Sequence, residues 1–92
     1  MTGIFGQAEN EELLTKGMFF IRQYIERICG EHVPNLTGPA PASVGKVRDV
    51  YRQVLYMRHE NRDYLIRIRE RLERYIEINP GFREIRVQYG LL

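Results

Sequence analysis

The spacing of hydrophobic and polar residues predicts two helices of unequal length. In the first, apolar residues recur at alternating steps of four and three, which is the spacing of one buried helical face. These residues are Leu14, Met18, Ile21, Ile25 and Ile28. Asn10 precedes this run as a suitable N-cap, and Gly30 follows it as a natural stop. The pattern therefore predicts a helix over residues 10–30.

A second and longer helix is predicted over residues 43–79. No proline interrupts this stretch, Ser43 is a suitable N-cap, and Pro80 follows the last residue. A seam of mainly apolar residues recurs at steps of three, four or seven. The seam consists of Val47, Val50, Val54, Met57, Asn61, Tyr64, Ile68 and Tyr75. A helix of about 36 residues would be roughly 54 Å long, against about 30 Å for the first helix.

Three segments flank these helices. Residues 1–9, with Gly3 and Gly6, are predicted to form a flexible or extended arm. Residues 31–42 contain three prolines and are predicted to form a linker. Residues 80–92 are predicted to form an extended tail or a short strand, because apolar and polar residues alternate from Ile85 to Tyr89.

These elements predict a single all-α domain over residues 1–92, folded as a helical hairpin. The long helix carries more apolar seam than the short helix can cover. A second copy of the chain would bury the remainder, so we expect a homo-oligomer with coiled-coil-like packing. Asn61 lies within the seam, where a buried asparagine would fix register and partner number. Alternatively, the seam rotates locally and Asn61 faces water.

The composition argues against several classes of protein. Hydrophobic residues make up 43% and charged residues 28% of the 92 residues, as in ordinary folded domains. No apolar run approaches the length of a membrane span. Cys29 is the single cysteine, and neither histidine has metal-motif spacing, so we expect no metal, no cofactor and no enzymatic activity. One cysteine and no visible secretory signal favour a cytoplasmic protein.

The charge is small but unusual in its makeup. The formal net charge is +2, and the basic residues are 12 arginines and 2 lysines. Residues 36–92 carry eleven basic and seven acidic groups, a local excess of +4. Arginine suits bidentate contacts with phosphates and stacking on aromatic rings. A GC-rich genome, which encodes arginine in preference to lysine, would explain the same bias.

Two patterns indicate where an anion would bind. Ser43 and Lys46 lie at the predicted start of the long helix, where the helix dipole favours negative charge. Further along the predicted helix, basic residues fall within roughly a 100° arc bordered by a tyrosine. The candidate ligand-binding residues are Ser43, Lys46, Arg48, Tyr51, Arg52, His59 and Arg62. Tyrosine and arginine are also enriched in protein interfaces, so an oligomer interface is the competing interpretation.

The segment from Pro41 to Lys46, followed by Asn61, resembles the loop-to-helix junction of a helical-hairpin domain found in phage anti-defence proteins. The resemblance covers a small part of the chain, which lacks that family's tryptophan and its alanine-rich second helix. It implies an oligomer that sequesters cyclic nucleotides without catalysis.

Three functions follow from these patterns. The leading hypothesis is a non-enzymatic helical interaction module that oligomerises and binds or inhibits a protein partner. The alternative is an oligomer that sequesters a phosphate-bearing small ligand, such as a cyclic nucleotide. The second alternative is weak nucleic-acid binding by the arginine stripe, although the nearly balanced overall charge counts against it.

Overall fold

The computed structural model describes residues 1–47 and 50–91, with the backbone alone described for residues 43–47 and 91. The elements in chain order are β1 (Thr2–Ala8), α1 (Glu11–Cys29), β2 (Asn35–Val47), β3 (Val50–Arg58), α2 (Arg62–Ile78) and β4 (Arg86–Leu91). Short 3₁₀ helices follow α1 at Gly30–His32 and α2 at Pro80–Phe82. Four strands and two helices form an α+β fold, so the prediction of an all-α fold is wrong.

The strands form one antiparallel sheet in the order β2-β3-β1-β4. The central strands are β1 and β3, and Ile4 of β1 lies opposite Leu55 on one side and Tyr89 on the other. The connection from β1 through α1 to β2 skips the position that β3 fills. This βαββαβ order is the split βαβ arrangement of ferredoxin-like folds.

Local sequence signals account for both helices. Asn10 caps α1, and its side-chain oxygen accepts a hydrogen bond from the backbone nitrogen of Leu13 at 3.1 Å. Gly30 ends α1 with a positive φ of 57°, a conformation that glycine adopts readily. Asn61 caps α2 in the same way, accepting from the backbone nitrogen of Tyr64 at 3.2 Å. The first helix thus lies within the range predicted from the apolar spacing.

Both helices pack on the same face of the sheet and enclose one core. The core residues come from β1, β3, both helices and the segment before β4. They are Ile4, Ala8, Leu14, Met18, Ile21, Ile25, Leu55, Met57, Leu65, Ile68, Leu72, Phe82 and Ile85. Tyr24 of α1 stacks on Tyr75 of α2 with ring centroids 4.1 Å apart, which joins the two helices above the sheet.

The predicted helix over residues 43–79 is wrong, because the chain forms the end of β2, all of β3 and α2 there. The spacing of the seam suits a helix, but four of the nine β3 residues are β-branched or aromatic, and these types favour strands. These residues are Val50, Tyr51, Val54 and Tyr56. The spacing favoured the wrong structure, because a stretch this short can match the helical period by chance.

The predicted seam residues therefore do not form one common face. Val47, Val50, Val54 and Met57 are strand residues, whereas Asn61, Tyr64, Ile68 and Tyr75 belong to α2 or its cap. Val54 and Met57 point to opposite faces of β3, because they are three residues apart on a strand. The side chain of Val47 lies outside the described part of the chain. The helical-hairpin and coiled-coil predictions depended on this seam and are therefore wrong. The homo-oligomer stays a prediction, but an uncovered apolar seam no longer supports it.

Two flanking segments are also corrected. Residues 1–9 are not an arm, since they contain the central strand β1. Residues 31–42 are not a linker throughout, because they include the first part of β2. Prolines are compatible with β2 because it is an edge strand, and its pairing with β3 shifts between Thr37 and Ala40 and again between Pro41 and Lys46. Residues 80–92 contain the strand β4.

Candidate functional site

The face of the sheet turned away from both helices, here called the open face, carries the strongest concentration of binding chemistry. Successive residues of a strand point to opposite faces, so the open face follows from the positions of Ile4, Leu55 and Met57 in the core. Val54 lies outside the core cluster, as expected for a residue on the open face, although its exposed fraction is only 5%.

Strand pairing arranges the open-face residues in three rows across the sheet. The first row is Gly90, Gly3, Tyr56 and Thr37; the second is Gln88, Phe5, Val54 and Ala40; the third is Arg86, Gln7 and Arg52. Neighbours within a row are about 5 Å apart, and successive rows are about 7 Å apart. Asn35 and Arg58 form a further pair beyond the first row.

The Phe5 ring lies over two glycines on the sheet surface. A Cβ atom added to Gly3 would lie 2.8 Å from Cε2 of Phe5, and one added to Gly90 would lie 3.1 Å from the same atom. The ring therefore occupies the space that side chains at both positions would need. Phe5 remains half-buried, and Tyr56 meets it edge-on, with ring centroids 6.4 Å apart and an interplanar angle of 86°.

The charge of the open face is positive. Arg52, Arg58 and Arg86 are all exposed, and none forms an ion pair with another residue in the described part of the chain. No acidic residue occupies the rows defined above, so the described side chains of this face carry +3. The helices are nearly neutral by contrast: α1 has three acidic and three basic residues, and α2 has four acidic and five basic.

A depression of about 260 Å³ crosses the open face between the second and third rows. Its lining includes Phe5, Gln7, Arg52, Arg86 and Gln88. An aromatic ring, two carboxamides and two guanidinium groups thus surround one concave site. Such a set can stack on a flat ring, hydrogen-bond to its edge and neutralise a phosphate.

The structure disperses the ligand-binding residues that the sequence suggested. Arg52 lies on the open face, whereas Tyr51 lies on the helix face of β3 and packs against the core. His59 follows β3, where its Nδ1 accepts a hydrogen bond from the backbone nitrogen of Asn61 at 2.9 Å, and Arg62 begins α2. The arc that was to unite these side chains does not exist, because β3 is not helical.

The helix start on which the predicted anion site at Ser43 and Lys46 was based is wrong, and anion binding by these residues stays a prediction. Ser43 and Lys46 belong to the strand β2, so no helix N-terminus lies there, and their side chains are outside the described part of the chain. Arg48 lies outside the described residues altogether. The resemblance to the phage anti-defence hairpin rested on a loop-to-helix junction, and residues 41–46 form a strand instead.

The open-face residues that sequence analysis missed are Phe5, Gln7, Tyr56, Arg58, Arg86 and Gln88. Alternation is visible locally, since Arg52, Val54 and Tyr56 occur at steps of two. The grouping itself could not be found locally, because it depends on the order of the strands in the sheet.

Two tyrosines on the helix side have perturbed acidity. A hydrogen bond with the Cys29 side chain, aided by burial, raises the pKa of Tyr64, whose hydroxyl also donates to the carbonyl oxygen of His32 at 2.9 Å. Burial, reinforced by the carboxylate of Glu73, raises the pKa of Tyr89 to about 12. Both residues contact the core, so these shifts reflect packing of the helix layer.

The described residues contain no group of three or more side chains with the identity and placement to hold a metal ion. None of the helices in the described part of the chain has the length and apolarity to cross a membrane. Searches with the sequence match no protein-family model and no curated protein.

Proposed function

We propose that the protein is a non-enzymatic module that binds single-stranded nucleic acid across the open face. The observation that carries this proposal is the combination of Phe5 and Tyr56 with three arginines that have no acidic neighbour among the described residues of the same face. Four-stranded sheets that present aromatic residues on their central strands bind RNA in the RNA-recognition motif, where the rings stack on bases. Phe5 and Tyr56 lie on the two central strands.

The positions of the side chains in the rows assign base contacts to the aromatic residues and phosphate contacts to the arginines. Phe5 and Tyr56 would stack on unpaired bases, each stack contributing about 1–3 kcal/mol. Arg52, Arg58 and Arg86 would contact the phosphates, which makes binding dependent on salt. Bases within a duplex are stacked on each other and cannot reach the rings, so the proposal favours single strands.

Fluorescence anisotropy with labelled single strands of about twelve nucleotides tests the proposal, since single-strand-binding OB folds occupy about 4–16 nucleotides. The expected slope of log affinity against log salt is about −2, because three phosphate contacts contribute about −0.7 each on single strands. Phe5→Ala should weaken binding about 5- to 150-fold, the equivalent of one lost stack. Phe5 lies outside the core cluster, so this variant should remain folded and melt cooperatively.

A matched charge reversal separates the two faces of the molecule. The double variant Arg52→Glu/Arg86→Glu should abolish binding, whereas Arg67→Glu/Arg74→Glu makes the same change in charge at exposed positions of α2. The second variant should bind nearly as well as the parent. Equal losses in both variants would mean that net charge alone attracts the strand, and the proposal would be withdrawn.

A small phosphate-bearing ligand is the second candidate, because the 260 Å³ depression between Arg52 and Arg86 is the size of a small-molecule site rather than an extended groove. Competition by adenosine monophosphate or a cyclic nucleotide in the same assay would favour it. The leading hypothesis from the sequence, a module that binds or inhibits a protein partner, stays a prediction. The apolar helical seam that supported this hypothesis does not exist in the structure.

A further inference from the structure

The side of α1 that is turned away from the sheet carries two exposed aromatic side chains. Phe19 is 52% exposed and Phe20 is 50% exposed, although phenylalanine is usually buried. Exposed residues that fall within about 120° of arc opposite the buried residues of α1 form one surface, here called the α1 outer face. Its aromatic and charged members are Glu12, Lys16, Phe19, Phe20, Glu26 and Arg27.

Ile78 of α2 extends this apolar surface beside Phe20. The two helices are antiparallel, since Tyr64 at the start of α2 donates to a carbonyl beyond the end of α1, whereas Tyr75 stacks on Tyr24. Phe20 lies one turn before Tyr24 along α1. Ile78 lies about one turn after Tyr75 along α2, which is the same direction in space. Ile78 is 69% exposed, so three large apolar side chains are exposed near one another, as at interaction surfaces.

The charged residues of the α1 outer face follow an order that changes sign when it is read backwards. Glu12 and Lys16 precede the two phenylalanines, so the order there is acidic and then basic. Glu26 and Arg27 follow them, again acidic and then basic. Read from the other end, the order is basic and then acidic on both sides. Two copies of this surface packed antiparallel therefore place opposite charges level with each other.

We propose that the α1 outer face is the interface of a homodimer, in which two copies of α1 pack antiparallel about a two-fold axis near Phe20. Glu12 then lies near the partner's Arg27. Lys16 lies near the partner's Glu26, and the aromatic rings of both copies meet at the centre. A parallel arrangement is disfavoured, because each charged residue would lie level with its own copy and like charges would repel.

The charges of this face are poorly matched within one chain. Lys16 and Glu26 are ten residues apart, about 15 Å along the helix, so they do not meet in a single copy. The side chain of Glu26 lies 4.0 Å from that of Arg22, which is a weak pair at a partly exposed site. An antiparallel partner supplies a closer opposite charge to both Lys16 and Glu26.

The size of the face predicts a dimer that dissociates on dilution. From Glu12 to Arg27 it is about 24 Å long and 10 Å wide, smaller than the interfaces of obligate dimers. Both open faces lie on the far sides of their sheets from this interface, so each stays accessible in the dimer. Dimerisation through α1 is therefore independent of strand binding by the open face.

Sedimentation velocity over a wide range of protein concentration at low salt tests the proposal. The parent protein should change from monomer to dimer as the concentration rises. Phe20→Ser should weaken association at least about ten-fold, because it removes an apolar contact from the centre of the interface. Phe20 lies outside the core cluster, so this variant should remain folded, as circular dichroism would show.

A charge exchange tests the antiparallel arrangement. Lys16→Glu should weaken association about 2- to 30-fold, since two symmetry-related surface ion pairs become repulsive. The double variant Lys16→Glu/Glu26→Lys restores opposite charges across the two-fold axis and should recover most of the loss. Arg67→Glu is the matched control, because it makes the same change in charge at an exposed position of α2 about 16 Å along the helix from Ile78. It should dimerise like the parent protein.

Each contrary result overturns a stated part of the proposal. A parent protein that stays monomeric at every concentration would overturn the dimer and assign the exposed phenylalanines to a different partner. A dimer that Phe20→Ser leaves intact would place the interface elsewhere on the molecule. A double variant that associates no better than Lys16→Glu would overturn the antiparallel pairing.

Discussion

The ionisation of Tyr89 is linked to folding. It lies on the helix face of β4, half-buried beneath α2, near Glu73 and Arg69. Arg69 pairs with Glu73 at 3.3 Å and partly offsets the effect of the carboxylate on the phenol. Burial remains the largest cause of the raised pKa, so the folded protein keeps this phenol protonated where an exposed tyrosine would ionise.

The stability of the protein should therefore fall between about pH 10 and 12, partly through Tyr89. In that window the unfolded chain has released the proton and the folded chain still holds it, so raising the pH favours unfolding. The contribution is present below pH 10 and is lost as the pH rises through about 12. Its size is about 1 kcal/mol once solvent screening of this half-exposed group is included.

Urea unfolding of the parent protein and of Tyr89→Phe, at pH values on either side of this window, measures the effect. The parent should lose more stability than the variant, because phenylalanine has no proton to release. Parallel losses in the two proteins would show that Tyr89 ionises equally well in the folded and unfolded states.

At the scale of single elements, capping by asparagine explains where both helices begin. Asn10 and Asn61 have extended backbones, and each side chain accepts a hydrogen bond from the backbone nitrogen three residues later. The sequence around Asn61 also suits a longer helix, in which this asparagine would occupy a buried seam. In the structure Asn61 is instead the N-cap of α2, and its backbone ψ of 107° excludes it from a helix interior.

Asn61→Ala should destabilise the protein by about 1 kcal/mol, since it leaves one amide at the start of α2 without a partner. Asn61→Asp should restore most of the loss, because aspartate caps equally well. Chemical denaturation of the three proteins provides the comparison. A stabilised alanine variant would point instead to a buried asparagine in an apolar seam, where replacement by an apolar residue strengthens packing.

At the scale of the whole molecule, β1 holds the sheet together. It pairs with β3 on one side and β4 on the other, and it contributes Ile4 and Ala8 to the core. It also places Phe5 and Gln7 at the centre of the open face. Stability and the proposed binding site thus depend on the same seven residues, which alternate between the two faces.

Removal of residues 1–9 should abolish cooperative thermal unfolding, because the inner edges of β3 and β4 would lose their partners and the core would lose its centre. Circular dichroism of the shortened chain measures this. A matched pair of point variants on the same strand gives the finer test: Ile4→Asp should unfold the protein, whereas Gln7→Ser should leave the melting temperature nearly unchanged. A shortened chain that still melts in one sharp transition would mean that β1 is dispensable.

The sequence alone determined the elements that depend on neighbours in the chain. The position of α1 follows from its apolar spacing, from Asn10 and from Gly30, all within one helical segment. The extended character of residues 85–89 follows from their alternation, and β4 covers most of that stretch. These signals are local, because caps and periodic faces act over a few residues.

Tertiary structure alone decided the fold class and the candidate site. The three-and-four spacing from Val47 to Met57 suits a helix, and only the pairing of β3 with strands on both sides makes this segment extended. Phe5, Tyr56 and Gln88 are far apart in the chain and meet only because β1 lies between β3 and β4. Strand order arises from long-range pairing and burial, which no local pattern in the sequence encodes.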